Sequence, residues 1–187
     1  RDLRFRVISL YFSRPLRRID YVAAKYAAMA AALLVFMALP LTILFIGALL
    51  AKLPLNDQVP DYLRSLAGAA LLALVLAGLG LLIAALTPRR GLGVAAVIAV
   101  LAMLVGVQGA VQRIAVDQGK DTFAGYAGLL SPFSIIDGVQ SALLGAKAGL
   151  PAQPPGVLGG LVFLAAAIAL VAGCFGALVL RYRKVSI

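Results

Sequence analysis

The sequence contains no glutamate, histidine or tryptophan, and it has a single cysteine among 187 residues. Cys174 therefore cannot form a disulfide within the chain, and no thiol–imidazole cluster is available to bind a metal. The groups that most often serve as catalytic acids, bases and thiol nucleophiles are largely missing. No GxxxxGK[ST] phosphate-binding loop occurs either. We therefore expect a protein that is not an enzyme and needs no cofactor or metal.

Charged residues are scarce, at 13%, whereas hydrophobic residues make up 63% of the chain. Soluble domains carry about 25% charged residues. The formal net charge of +10 could indicate nucleic acid as a partner, because basic patches bind phosphates. Here, however, the cations cluster at the ends of apolar runs, where membrane topology and anionic lipid headgroups explain them better. We expect membrane lipids as partners and no nucleic acid.

Four apolar runs are long enough to cross a membrane, since a helix needs roughly 20 apolar residues to span a bilayer core of about 30 Å. They cover residues 26–51, 65–87, 91–112 and 157–180. The sequence thus predicts an all-α integral membrane protein. A cytoplasmic segment, residues 1–25, precedes a transmembrane bundle that occupies residues 26–187.

The distribution of lysine and arginine predicts the orientation of these spans. Residues 1–25, the TPRRG turn at 87–91 and the RYRK cluster at 181–184 are basic and fall on one side of the membrane. Short basic segments stay in the cytoplasm. Because each span crosses the membrane once, an even number of spans also places both termini on the same side. We expect a multi-pass protein of the plasma membrane with both termini cytoplasmic and with loops 52–64 and 113–156 outside.

Two spans contain features that bear on transport. Pro40 interrupts the first span and predicts a kink, which is either tolerated or a hinge. Gln108 and Gln112 lie one helical turn apart in the outer half of the third span. They are interpreted either as an interhelical hydrogen bond or as part of a translocation path. No span contains a charged residue or histidine, which argues against a proton-coupled carrier.

Small residues recur at four-residue spacing in several spans and predict close contacts between helices. The pairs are Gly80/Ala84, Gly106/Ala110, Gly156/Gly160 and Gly173/Ala177.

Residues 122–147 are too apolar for a solvated loop and too interrupted, by Pro132 and Gly138, for a span. Ser131 is suited to cap a helix that begins at Pro132. Apolar and amide side chains then recur at helical spacing, at Phe133, Ile136, Val139, Gln140 and Leu143. The pattern predicts two short amphipathic or re-entrant helices before the last span, or alternatively a surface helix that caps the bundle.

The first 25 residues contain seven of the seventeen cationic side chains. Between the cations, Leu3, Val7, Leu10 and Tyr11 share one face of a helix. The segment is therefore predicted to be an amphipathic helix on the cytoplasmic surface that docks onto a partner.

The stretch LYFSRPLRRIDYVAAK resembles the cytoplasmic coupling region of ABC-2 type transporter permeases, which runs directly into a span. The matching positions are Leu10, Tyr11, Ser13, Arg14, Pro15, Arg18, Tyr21 and Lys25. The remaining layout is also similar, with further spans and a re-entrant helical element before the last one. The sequence differs from the family pattern at Ala24, where glycine is frequent, and at its RDLRFR start.

The resemblance implies a permease subunit of an ATP-driven transporter that exports an amphipathic or lipid-like substrate. Such permeases commonly have six spans, so an N-terminal third with two spans is expected to lie outside this chain. A separate ATP-binding-cassette ATPase would grip residues 1–19, and a second permease copy, identical or different, would complete the path.

The resemblance also implies roles for particular residues. The predicted coupling residues are Leu10, Tyr11 and Phe12 as an apolar plug, Arg14, Pro15, Arg17 and Arg18 as the basic contact, and Asp20 and Tyr21 as the anchor of the first span. Gln108 and Gln112 would line the path. The outer gate is predicted at Ser131, Pro132, Phe133 and Asp137.

Two alternatives remain open from the sequence. One is a membrane scaffold without transport activity whose basic helix rests on anionic lipid. The other is a separate carrier or channel.

Overall fold

A computed structural model describes residues 18–87, 90–146, 149 and 154–184, and within these ranges the chain is helical with no strand. Residues 1–17 of the predicted coupling segment lie outside the described part. The elements are α1 (Arg18–Leu50), α2 (Leu55–Leu86), α3 (Arg90–Asp117), α4 (Asp121–Tyr126), a 3-10 turn (Ala127–Leu130), α5 (Pro132–Leu143) and α6 (Gly156–Lys184).

Four of these helices are long and apolar enough to cross a membrane, which confirms the predicted all-α membrane fold. They cover Ile19–Leu50, Leu55–Leu86, Gly91–Asp117 and Gly156–Tyr182. A hydrocarbon core offers no water to the backbone, so each crossing segment satisfies its own amides and carbonyls as a helix.

All four long helices extend beyond the apolar runs that predict them, and α2 and α3 do so at the end opposite the basic end. α2 begins at Leu55, so most of the loop expected at residues 52–64 is helical. The reason is that polar side chains continue the helix outside the hydrocarbon, where Arg64 pairs with Asp61 one turn earlier at 3.0 Å. α3 likewise continues to Asp117 rather than ending at residue 112. Hydropathy detects the apolar part of a helix and not its polar ends.

The four long helices run alternately up and down. One end of the bundle, called the basic end below, contains Arg18, Leu86, Arg90 and Lys184. The opposite end holds the short connection between α1 and α2, and also α4, the 3-10 turn and α5. α2 is central, since it packs against α1, α3, α5 and α6.

Two apolar clusters hold the helices together. Near the basic end, Val22, Tyr26 and Ala30 of α1 pack with Ala77 of α2 and Leu178 of α6. Farther along, α5 packs between α2 and α6, with Ile135, Ile136 and Val139 against Val75 and Phe163. The segment before the last span is therefore a packed part of the fold.

Close approach between helices depends on glycines at particular positions. A Cβ at Gly138 would overlap the ring of Phe163, which is only 1% exposed, and a Cβ at Gly68 would overlap the side chain of Gln140. Of the small-residue positions predicted from spacing, Gly160 does lie against Ala142, but a Cβ added at Gly80 would meet no heavy atom of another described segment within 4 Å. Gly106 and Gly173 are equally open. The spacing alone does not say whether a small residue faces another helix or the bilayer.

We expect Gly138→Ala to destabilise the protein, since the added methyl must displace a buried ring and overpacking costs about 1–3 kcal/mol. Thermal unfolding in mild detergent would measure the change. Gly106→Ala is the matched control, because its methyl enters open space and alanine favours a helix over glycine by about 1 kcal/mol. Equal unfolding temperatures for both variants would contradict the packing assigned to Gly138.

Candidate functional site at the basic end

The start of α1 anchors the candidate site. α1 begins at Arg18, and Asp20 lies in its first turn, where a carboxylate interacts favourably with the helix dipole. Val22 and Tyr26 are buried, whereas Tyr21 and Lys25 are half-buried. Because Tyr21 and Lys25 are four residues apart, they lie on the same side of the helix.

Tyr21 and Lys25 connect the start of α1 to the end of α6. The rings of Tyr21 and Tyr182 meet edge to face, with centroids 5.8 Å apart. The Lys25 ammonium lies 5.7 Å from the Tyr21 centroid and 6.0 Å from that of Tyr182. Lys25 Nζ also donates to the Tyr182 hydroxyl at 3.5 Å. A cation–π contact contributes about 0.5–1 kcal/mol when exposed and more when desolvated.

Arg181 connects the end of α6 to the end of α2. Its Nε donates to the Ala85 carbonyl at 2.9 Å. That carbonyl belongs to the last turn of α2, where helix carbonyls have no partner within the helix and a cation offsets the negative end of the dipole. The Thr87 hydroxyl donates to another last-turn carbonyl, that of Ile83, at 3.0 Å. Polar contacts thus close the end of α2.

Tyr26 extends these contacts into the bundle. Its hydroxyl donates to the Leu74 carbonyl of α2 at 2.6 Å, and its ring meets that of Phe175 of α6 edge to face at 5.9 Å. The first turns of α1 are consequently fixed to two other helices. We call the group Tyr21, Lys25, Arg181 and Tyr182 the coupling junction.

The coupling junction overlaps only in part with the residues predicted from the sequence. Asp20 and Tyr21 lie at the start of α1, and their anchor role stays a prediction. Arg18 begins the helix, and the other predicted coupling residues lie outside the described ranges; they are Leu10, Tyr11, Phe12, Arg14, Pro15 and Arg17. Lys25, Arg181 and Tyr182 are not among the site residues predicted from the sequence, although Lys25 is one of the positions that match the family pattern. The spacing of Tyr21 and Lys25 is a usable signal, but nothing in the sequence pairs α1 with α6.

Gln112 makes the interhelical hydrogen bond that is one of the two interpretations, whereas Gln108 bonds to Gln112 within α3. Gln108 Nε2 donates to Gln112 Oε1 at 2.7 Å, and Gln112 Nε2 donates to the Ala124 carbonyl of α4 at 3.3 Å. Both amides are buried, at 3% and 2% exposure. Their role in a translocation path stays a prediction.

The predicted outer-gate residues differ in burial: Ser131 and Pro132 are buried, Phe133 is exposed and Asp137 is half-buried. Pro132 does occupy the first turn of α5, and Ser131 stands at the capping position, but the Ser131 side chain makes no capping bond. Its hydroxyl is buried and has no hydrogen-bond partner among the described residues. Phe133 is exposed, and Asp137 Oδ1 accepts the Gly149 amide at 3.1 Å. The gate therefore stays a prediction, while the shown contact of Asp137 is the one with the Gly149 amide.

Pro40 lies inside the continuous α1, and its missing amide leaves the Phe36 carbonyl without the usual partner. After Pro40, polar and aromatic side chains of α1 contact Tyr62 of α2. The Thr42 hydroxyl donates to the Ala38 carbonyl at 2.7 Å and so accepts from the Tyr62 hydroxyl at 3.0 Å. Phe45 stacks on Tyr62 with centroids 4.6 Å apart. These contacts fix the half of α1 farther from the basic end to α2, and the hinge stays a prediction.

The fold and the polar contacts at the basic end define a multi-pass, all-α membrane protein. A family model described as ABC-2 family transporter protein matches residues 6–184. The chain therefore belongs to the ABC-2 transporter family and is a permease-type membrane component, and the family implies partnership with an ATP-binding subunit. Comparisons with curated proteins and with solved structures gave no match.

We expect Lys25→Met and Tyr182→Leu to destabilise the protein non-additively, because each removes one partner of the same contact. In a double-mutant cycle of unfolding free energies in detergent, the coupling energy should be about 0.5–1 kcal/mol, the range of a partly exposed cation–π contact. Pairing Lys52→Met, at the opposite end of α1, with Tyr182→Leu is the control and should be additive. A coupling energy of zero between Lys25 and Tyr182 would contradict the assigned cation–π contact.

Proposed function

We propose that the chain is the membrane-spanning permease subunit of an ATP-driven ABC-2 type transporter and that a separate ATPase drives it through residues 1–25. The coupling junction carries this proposal. It includes Tyr21 and Lys25 of residues 1–25, joins the first turns of α1 to the last turns of α6, and joins α6 to the end of α2. A displacement of residues 1–25 would therefore reach three of the four long helices at once.

The charge distribution supports placing the basic end in the cytoplasm. The connections at the opposite end, residues 51–64 and 113–155, carry five cations and five aspartates, which cancel. The full net charge of +10 thus falls on the basic end. Short cationic segments are retained on the cytoplasmic side. An ATPase in the cytoplasm would then meet residues 1–25 and both termini of this chain at the same surface of the plasma membrane.

The uncharged spans support an amphipathic or lipid-like substrate over a small ion. Among residues 26–51, 65–87, 91–112 and 157–180 there is no charged side chain to replace an ion's hydration shell. Export follows from the family expectation, as does a second permease copy, identical or different, across a central path. The runner-up function is a membrane scaffold whose basic segment binds anionic lipid.

Co-purification tests the ATPase partnership. An ATP-binding-cassette ATPase should accompany the protein in mild detergent and should be lost when Arg14→Glu and Arg18→Glu are combined, because both reverse the charge of the proposed contact. Lys52→Glu combined with Lys120→Glu, at the opposite end, is the matched control and should keep the ATPase. Retention of the ATPase by the Arg14/Arg18 variant would refute coupling at these residues. Absence of any ATPase from the unaltered protein would favour the scaffold.

A second experiment separates transmission at the coupling junction from docking of the ATPase. Lys25→Met should leave the ATPase bound but lower the ATP hydrolysis that the permease stimulates, by roughly two- to fivefold if a contact of about 0.5–1 kcal/mol is lost. Steady-state hydrolysis by the reconstituted complex would measure it. Lys52→Met provides the control. If Lys25→Met stimulates ATP hydrolysis as fully as the unaltered protein, the coupling junction does not transmit the movement of the ATPase.

A further inference from the structure

The start of α5 leaves three hydrogen-bonding groups without a partner among the described residues. The first is the Ser131 hydroxyl, which is buried and unpaired although Ser131 stands at the capping position of the helix. The other two are backbone amides of the first turn. The Ser131 amide donates to the Gly128 carbonyl at 3.3 Å, and Pro132 has no amide hydrogen. The amides of Phe133 and Ser134 find no acceptor within the described ranges.

These three groups are close together because of the geometry of a helix start. A residue at the capping position has its side-chain oxygen beside the amides of the second and third helical residues, which in α5 are Phe133 and Ser134. Ser131 has the extended backbone of such a residue, with φ −126° and ψ 135°. Its carbonyl accepts the Ile135 amide at 3.0 Å, which is the first bond of the helix. The hydroxyl makes no direct bond to either amide, so the three groups border one small region at the start of α5.

This region lies inside the bundle, away from bulk water, and Ser131 is 0% exposed. Near the start of α5, Ile135 packs in one cluster with Val75 of α2. Near the other end of α5, Gln140 donates to the Arg64 carbonyl at 3.5 Å. Val75 lies 11 residues beyond Arg64, which is about 16 Å along the axis of α2. α5 therefore begins deep in the bundle, at a level where the bilayer supplies no water to the backbone.

The three groups define the chemistry of an occupant. Burying a polar group is costly unless it is hydrogen-bonded. The two amides can only donate, whereas the Ser131 hydroxyl can donate or accept. The occupant must therefore have an oxygen that accepts two hydrogen bonds and can also bond to a hydroxyl. A buried water molecule makes about three hydrogen bonds, which matches the three groups.

The surroundings favour a neutral occupant over an anion. The cluster that packs around α5 consists of uncharged side chains, among them Val75, Tyr126, Leu129 and Phe163. A buried anion without a cation costs far more than a buried neutral polar group. The positive end of the helix dipole is equivalent to only about half an elementary charge, so it offsets a part of that cost.

We propose that a single water molecule is bound at the start of α5, where it accepts hydrogen bonds from the Phe133 and Ser134 amides and donates one to the Ser131 hydroxyl. The water takes the place of the direct cap that a serine side chain makes at this position in other helices. It fixes the start of the helix that packs between α2 and α6. The proposal concerns the folded chain alone and does not depend on ATP-driven transport.

A high-resolution structure of the unaltered protein in lipid tests the proposal directly. In a map that resolves ordered water, a peak should lie about 2.5–3.2 Å from Ser131 Oγ and from the amide nitrogens of Phe133 and Ser134. In the same map of Ser131→Ala, which removes one of the three partners, the peak should be weaker.

The melting temperature of Ser131→Ala in mild detergent is an independent test, because the two possible states of the hydroxyl predict opposite signs. If the hydroxyl bonds to the water, its removal should lower the melting temperature by about 2–4 °C, the shift expected for one hydrogen bond in a chain of this size. If it has no partner, its removal should raise the melting temperature, since an unpaired buried group is lost. Ser141→Ala is the matched control on the same helix. Its hydroxyl bonds locally to the Gly138 carbonyl at 3.3 Å, so this change should have a smaller effect.

Four results would overturn the proposal. The first is a map of the unaltered protein with no peak at this position. A Ser131 hydroxyl within hydrogen-bond distance of the Ser134 amide would show a direct cap instead. Density continuous with an acyl chain would show that the polar group of a lipid, rather than water, meets the three partners. A higher melting temperature for Ser131→Ala would show that the hydroxyl is unpaired.

Discussion

The absence of water from the bilayer core is the constraint on which this structure depends. It forces the backbone of each crossing segment into a helix and keeps charged residues out of the four apolar runs. The polar interactions that can join one helix to another are consequently concentrated at the ends. At the basic end, Lys25 and Arg181 both act across helices: one lies against the Tyr182 ring and the other caps α2. The charged and polar side chains that a partner protein could contact therefore lie at the ends of the bundle, where charge is not excluded by the membrane.

Within the apolar core, the shapes of the side chains, rather than their charges, determine which helices pack together. Lipid tails are as apolar as the helices, so burial alone gives little reason for helices to associate. Gly138 and Gly68 instead let Phe163 and Gln140 approach the backbone closely. Gln112 adds a hydrogen bond between α3 and α4 at a depth where an unpaired amide would be costly. These contacts place α4 and α5 firmly among the long helices.

The sequence predicts the features that depend on composition along a single helix. The four crossing helices and the proline in the first turn of α5 follow from hydropathy and from the fixed φ of Pro132. Hydropathy does not predict the polar extension of α2 from Leu55, because Asp57 and Arg64 lie outside the hydrocarbon. Hydropathy also does not predict contacts between segments that are far apart in the sequence. Lys25 and Tyr182 are 157 residues apart, and only the antiparallel packing of α1 and α6 brings them together. Likewise, Gly80 and Gly160 look equivalent in sequence, although only Gly160 faces another helix.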